Sequence, residues 1–367
     1  MASLEEIRKI RVEKAGHLRQ AGADPYPARV KKTHSAAEIH EFFDALASSI
    51  EPIFLCGRVR AIRSHGGSAF LDIEDETGQV QIFLQEDRLG AEAYKLFQEN
   101  ADLGDFIEVS GRLFKTKKDE KTLECDSFRI IVKALRPLPE EWYGLKDTEE
   151  RLRHRYLDLI LNKGVKEVFR SRSRLLADVR KFLAKNGFTE VETNILQPLA
   201  GGALAQPFQT HLNALDIDLY LRVAPELYLK RLLVGGFDKI YEIGRCFRNE
   251  GISPQHNPEF TMLELYWAYQ DYKGLMKFTQ KLLKKWIPGR WPVKEFSRVF
   301  KQMTGRDYSK VDPSELDEIY KKEVRAKIEG PMFLVHYPER IMSLAKLKAD
   351  NPKLTESFQL IVKGAEV

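Results

Sequence analysis

Cysteine is scarce: three in 367 residues, Cys56, Cys125 and Cys246, far apart and with no CxxC spacing. An odd, scattered set excludes a disulfide framework, argues against a structural zinc site and points to a reducing compartment. Long hydrophobic runs are missing as well, since no stretch approaches the length that spans a bilayer. The opening MASLEEIRKIRVEKAGHLRQ has no apolar h-region of a secretory signal and reads as an amphipathic helix. Nor is there an excess of one charge. The 59 basic and 54 acidic residues leave a net +5, which permits a nucleic-acid partner without demanding one. With 43% hydrophobic and 31% charged residues, the chain has an ordinary soluble composition and length for two or three domains. The expectation is a cytoplasmic globular protein with no membrane partner.

Residues 1–50 form an opening helical segment. Periodicity predicts helices over Glu5–Leu18 and Ala36–Leu46, with Asp24-Pro25-Tyr26-Pro27 forcing extended chain between them. Residues 51–135 carry five short β-prone runs, with turn signals at Gly66-Gly67 and Thr77-Gly78 and a helix predicted over Ala91–Asn100. Five strands with a helix after the third is the order of an OB-fold, a small barrel that binds oligonucleotides, although short strands also build sandwiches. Phe70 and Phe83 are stacking candidates there, with Arg58, Arg60 and Arg63 nearby. Stacking a base on an exposed ring gives about 1–3 kcal/mol, yet a strand phenylalanine is more often core.

A proline-broken linker over 136–150 leads to a charged helix and then to an apolar-striped helix over Lys166–Lys185. Its arginines at 170, 172 and 174 suit nucleic acid or a subunit interface. The densest chemistry lies at 240–267, IYEIGRCFRNEGISPQHNPEFTMLELYW, two strand-like runs about a polar loop holding Gly251, Ser253 and Pro254. Alternation puts Glu242, Gly244, Cys246 and Arg248 on one face, and Phe260, Met262, Glu264 and Tyr266 on one face of the other strand. Charges at such a place pair with each other or wait for a charged ligand, and spacing alone leaves both open.

The segments taken together resemble the class II lysyl-tRNA synthetases of class IIb. The matching runs are ADPYP at 23, ALRPLPEEWYGLKD at 134, RLRHRYLDLI at 151, GFTEVET at 187 and GGALAQPF at 201. LRVAPELYLKRLLVGGFDKIYEIGRCFRNEGIS at 221 and HNPEFTMLELY at 256 complete a likeness that covers almost the whole chain. It implies an α+β fold: an OB-fold anticodon-binding domain over 51–135, then a class II catalytic domain over 151–367 with an antiparallel sheet flanked by helices. It also implies activation of L-lysine by ATP to lysyl-adenylate, transfer to tRNA(Lys), magnesium, and a homodimer. Arg248 resembles the motif 2 arginine at the α-phosphate and the lysine carboxylate, and Phe260 the ring under adenine. Glu250 and His256 lie where the motif 2 loop meets base and phosphates. Glu226, Glu264 and Tyr266 resemble the pocket for the substrate's amino groups, and Gly202 permits close backbone approach. Arg63, Phe70 and Gln81 fall at anticodon-contacting positions.

The pattern also departs from the family. Asn194 replaces a motif 1 proline, and Met342-Ser343-Leu344 stands where Ser-Pro-Leu is usual. Gln359 occupies the place of one metal-binding glutamate while Glu366 keeps the other, and an amide weakens a magnesium site. No glycine-rich, arginine-bearing motif 3 follows before Val367. The expectation is a polypeptide inactive alone. The alternative is a non-catalytic tRNA-binding paralogue that lost motif 3. Residues 287–329 carry no motif.

Overall fold

Ser3 opens the first helix with a reciprocal capping box. Its hydroxyl accepts from the Glu6 amide at 3.2 Å, and the Glu6 carboxylate accepts from the Ser3 amide at 2.7 Å. This computed structural model describes residues 3–139, 146–162, 164–253, 256–342 and 344–367. Much of the linker, Pro254 of the hairpin loop and Ser343 lie outside the described residues. The chain divides into two compact units that meet in sequence between Lys166 and Glu167.

The first unit begins with α1 (Leu4–Gln20), α2 (Ala36–Glu41) and α3 (Phe43–Ala47). The single helix expected over Ala36–Leu46 is broken at Phe42, whose φ of −107° and ψ of 23° leave the helical region. There follow β1 (Ile53–His65), β2 (Ser68–Glu74), β3 (Gln79–Gln85), α4 (Glu86–Leu89), α5 (Ala91–Asn100), β4 (Phe106–Lys115) and β5 (Lys121–Val132). The strands close a barrel in the order β1-β2-β3-β5-β4, so the expected OB-fold is the structure. Strict alternation sends Leu55, Val59, Leu71, Ile82 and Val109 inward, where Leu18 of α1, Ile39 and Phe43 join them. At the β4 bulge Gly111 is obligatory, because a Cβ there would lie 1.8 Å from the Glu124 carbonyl oxygen. Two short helices end the unit, α6 (Thr148–Arg153) and α7 (Arg155–Leu161), bound together by the buried Asp158 carboxylate. That carboxylate accepts from Arg151 at 2.8 Å and from Asn162 at 2.6 Å.

The second unit is entered through α8 (Val165–Lys185). After it come β6 (Thr189–Glu190), β7 (Leu196–Gln197), β8 (Gln209–Leu212), β9 (Ile217–Leu221), α9 (Glu226–Val234), β10 (Lys239–Phe247), β11 (Glu259–Trp267) and α10 (Tyr272–Leu283). The remainder is β12 (Val293–Glu295), α11 (Phe296–Thr304), α12 (Pro313–Ile319), β13 (Met332–Val335), β14 (Phe358–Val362) and β15 (Ala365–Glu366). The α+β class holds, but the sheet is divided and mixed rather than antiparallel throughout. Its parts are β11-β10-β6, β7-β9-β8 and β12-β13-β14-β15, with β6–β10 and β12–β13 parallel. The helices α8 and α10 cover the central hairpin through Val179, Leu183, Phe188, Tyr241 and Phe278. The stretch without a motif supplies a core of its own, in which Phe296, Phe300 and Tyr320 pack on Tyr337.

Candidate active site and nucleic-acid face

The hairpin β10–β11 pairs Glu242 with Glu264, Gly244 with Met262 and Cys246 with Phe260. Two carboxylates directly opposite in a ladder repel. The structure removes the conflict by spending one of them. Arg222, just past β9 and 1% exposed, pairs through Nη1 with the Glu242 carboxylate, itself 3% exposed. Thr193 Oγ1 donates to the other Glu242 oxygen at 2.7 Å, and Arg222 Nε donates to the Arg245 carbonyl at 2.8 Å. Gly244 makes the crossing possible, since a Cβ there would meet Arg222 Nη2 at 2.0 Å. Sequence reasoning missed both Arg222 and Thr193. The available signal was an arginine inside the apolar run LRVA, one residue beyond a strand.

Glu264 is the carboxylate left over. Burial pushes its carboxyl up; the Tyr266 hydroxyl, donating at 3.0 Å, opposes this, while Glu226 and Glu242 add to it. The Tyr266 phenol is raised too, first by burial and then by Glu264. Glu226 stands at the start of α9, where Lys230 of the same helix pairs with it. Beside it Gly202 has φ +90°, and a Cβ would come 2.9 Å from the Glu226 Cβ. Gly202, Glu226, Glu264 and Tyr266 are therefore brought together. They form a half-buried, anionic recess whose ionisation a bound cation would favour.

At the other end of the hairpin a cavity of about 220 Å³ is lined by Arg248, Glu250, Gly251, His256, Asn257 and Phe260. The Arg248 amide donates to the Pro258 carbonyl at 2.8 Å, which fixes the base of the side chain. Its guanidinium carbon lies 5.1 Å from the Phe260 ring centre, and among the described residues its buried Nε has no hydrogen-bond partner. A buried guanidinium N–H with no acceptor is costly and suits an anionic ligand. Glu250 accepts from the Gln206 amide at 3.3 Å, and His256 Nδ1 meets Ser253 Oγ at 2.8 Å, so both side chains are held at the cavity.

On the barrel, Arg63 stands opposite Phe70, Phe70 opposite Phe83 and Asp72 opposite Gln81. Their neighbours Ala69, Leu71 and Ile82 fill the core, so these side chains lie on the outer face. Phe70 and Phe83 stack at 4.6 Å with planes 26° apart, an aromatic surface rather than core. Arg63 forks onto Asp72 at 2.7 and 2.8 Å, and Gln81 accepts from Thr122 at 2.9 Å. Arg58 and Arg60 serve the barrel instead. The former donates to the Gly104 carbonyl at 3.1 Å, and the latter pairs with Glu74 at 3.0 Å. Of the arginine cluster on α8, Arg172 donates to Thr261 Oγ1 at 2.8 Å and Arg174 pairs with Glu167.

The expected metal ligand, Glu366, does not fit a magnesium ion in this chain. Gln359 Nε2 donates to Glu366 Oε1 at 2.8 Å, and Gln359 Oε1 accepts from the Tyr320 hydroxyl at 3.0 Å. The carboxylate is thus faced by an N–H donor, where a cation needs anionic oxygen. Among the described residues no group of three or more His, Cys, Asp or Glu side chains is arranged to hold a metal. Gln359→Glu is expected to restore two facing carboxylates and a saturable Mn²⁺ site, read by electron paramagnetic resonance. Equal Mn²⁺ uptake by the unsubstituted chain would refute this account.

An OB barrel ahead of a hairpin that carries an arginine, a ring and a carboxylate recess is the architecture of a class II aminoacyl-tRNA synthetase. Residues 53–131 match the OB-fold nucleic acid binding domain, and residues 147–367 match the class II tRNA synthetases (D, K and N). The chain is 43% identical to a lysine–tRNA ligase of Carboxydothermus hydrogenoformans over 99% of its own length and 82% of the relative's. A lysine–tRNA ligase of Pelotomaculum thermopropionicum is 43% identical over 99% and 80%, and one of Moorella thermoacetica 40% over 99% and 82%. The chain belongs to this family, among its lysine–tRNA ligases. The alignment with the first relative runs over 404 positions, more than the 367 residues of this chain, so the relative carries internal residues that this chain lacks.

Proposed function

We propose that the chain carries the sites for activating L-lysine with ATP and for holding tRNA(Lys) by its anticodon. The observation that carries the reading is the pairing, on one hairpin, of a buried arginine N–H without an acceptor among the described residues and a recessed carboxylate whose carboxyl burial pushes up and a bound cation would favour ionised. ATP enters as its magnesium complex, which is substrate, and no residue of this chain is assigned to the metal. Phe260 takes the adenine ring and Arg248 the α-phosphate, with Glu250 and His256 at the rim of the nucleotide cavity. Glu226, Glu264 and Tyr266 take the ammonium of the lysine side chain, with Gly202 beside the amino-acid backbone. The lysine carboxylate attacks phosphorus directly and no protein nucleophile is required, so the residues act by positioning and charge stabilisation. Arg63, Phe70 and Gln81 contact the anticodon. The proposal extends to a cytoplasmic homodimer, supported by Val168, Phe169 and Leu199, apolar side chains left exposed on the second unit; sedimentation of the purified chain checks it.

The test separates the two units. Phe70→Ala is expected to weaken tRNA(Lys) binding by about 1–3 kcal/mol, roughly five- to more than a hundredfold, while lysine and ATP binding stay unchanged. Equal loss in all three titrations would make Phe70 a merely structural ring and remove the anticodon assignment.

Lysine binding should also depend on pH. The Glu264 carboxyl is raised above 4.5, and the ionised form pairs with an ammonium. Affinity is therefore expected to climb as pH rises from 4.5 through the elevated value, with a proton released on binding. Calorimetry in two buffers of different ionisation enthalpy measures that proton. The sign for folding is opposite: the folded unit holds the proton more tightly than the unfolded chain, so Glu264 lowers stability as pH rises through the same window.

A further inference from the structure

Between Asp271 and Glu295 the chain has seven lysines and arginines and no acidic residue, although its charges nearly balance elsewhere. All seven are exposed. On α10, Lys273, Lys277 and Lys281 share a face at four-residue spacing, about 6 Å of rise per step, and Lys284 and Lys285 extend it. Like charges so placed weaken a helix. The helix dipole accounts for cations in the last turn, but not for Lys273 in the first turn, at the positive end, where Asp271 caps the helix and accepts from the Gly274 amide at 2.7 Å. The neighbouring α8 continues the pattern. Its Asp178 pairs with Lys285 at 2.5 Å, and Lys181 and Lys185, three and seven residues further on, share that face and are exposed. The tilted rings of Phe182 and Phe278, with centres 5.1 Å apart, hold the two helices side by side. Among the described residues, Lys285–Asp178 is the only ion pair these lysines make.

We propose that this two-helix lysine face binds the phosphate backbone of RNA. That the RNA is the tRNA charged by the family rests on the proposed function; the preference for a polyanion rests on the charge pattern. A lipid surface is disfavoured because the apolar side of α10 is already used: Phe278 is buried, and Leu282 packs against the same core. No apolar face is left to enter a membrane.

The test uses the full chain and measures tRNA binding against salt concentration. In a Lys277→Gln, Lys281→Gln, Lys284→Gln triple variant, the plot of log K against log salt should be shallower by about 2–3 units, at roughly 0.7–0.9 for each phosphate no longer neutralised. The weakening should be the same for cognate and unrelated tRNA. The corresponding Lys→Arg triple should keep the original slope, and far-ultraviolet circular dichroism should show the helices intact in both. Phe70→Ala, by contrast, should lose preference for tRNA(Lys) with the slope unaltered. An unchanged slope in the glutamine triple would overturn the lysine face and leave the anticodon reading standing. Binding to phosphatidylserine vesicles that the triple abolishes, with the tRNA slope unchanged, would assign the face to a membrane and overturn the proposal. Failure of the unsubstituted chain to bind any tRNA would overturn this proposal and the synthetase reading together.

Discussion

In a lysine–tRNA ligase competent for exchange, the Arg248→Ala change is expected to lower lysyl-adenylate formation by at least about 10²–10³-fold, the range for removing one preorganised donor from a developing anionic centre. The Arg248 amide is tied to Pro258, the guanidinium sits against the Phe260 ring, and among the described residues the buried Nε has no acceptor. An in-line attack at phosphorus spreads charge over oxygens that a planar fork can meet with two parallel N–H bonds. Arg248→Lys should recover little, because a point charge on a flexible stem offers neither the fork nor the flat contact with the ring. Lysine-dependent pyrophosphate exchange reads the chemistry, and ATP titration by equilibrium binding separates affinity from rate. Exchange at the original rate in the alanine variant would remove Arg248 from the reaction.

The barrel was legible because its grammar is local. Alternation in Val80-Gln81-Ile82-Phe83-Leu84 places Val80, Ile82 and Leu84 in the core and Gln81 and Phe83 outside, as a period of two requires. Whether Phe70 was platform or core was not local. It turned on register: Phe70 falls opposite Phe83, on the face away from Leu71, and that pairing follows from the turn at Thr77-Gly78, closed by the Asp75 amide on the Gly78 carbonyl, fixing β2 against β3. Helix breaks were less readable. The run Ala36–Leu46 has no glycine or proline at its break, and only the structure shows two short helices stepping around the barrel end at Phe42.

The hairpin shows the same division. Which side chains share a face could be read from β10 and β11 separately, and the structure agrees for Glu242, Phe260, Glu264 and Tyr266. Which of the charges pair and which wait could not be read, because the deciding residues come from elsewhere in the chain. Arg222 and Thr193 claim Glu242, Lys230 claims Glu226, and Gln359 claims Glu366. Family likeness assigned Glu264 to substrate and Glu366 to metal with equal ease. Physical pairing keeps the first open to a ligand and closes the second.

The largest stability effect is expected from Glu242→Ala. Removing the carboxylate leaves the Arg222 guanidinium, 1% exposed, beneath the hairpin without its anion. Breaking a buried pair from one side costs about 3–5 kcal/mol, because the surviving charge stays desolvated. Arg222 cannot swing to water: its Nε is held by the Arg245 carbonyl and its tip fills the space that Gly244 leaves. Thr193→Val, which removes a hydroxyl that donates to the same carboxylate and accepts from Arg222 Nη1, should cost less, about 1.5–3 kcal/mol, the range for hydrogen bonds to charged groups. The double change Arg222→Met, Glu242→Leu should regain most of the loss, since apolar groups of similar volume replace both charges. Urea unfolding of the full chain, followed by tryptophan fluorescence, ranks the variants. If Glu242→Ala cost no more than Thr193→Val, the pair would not be the support of the hairpin. Glu264 would then lose the argument that its opposite carboxylate is already neutralised.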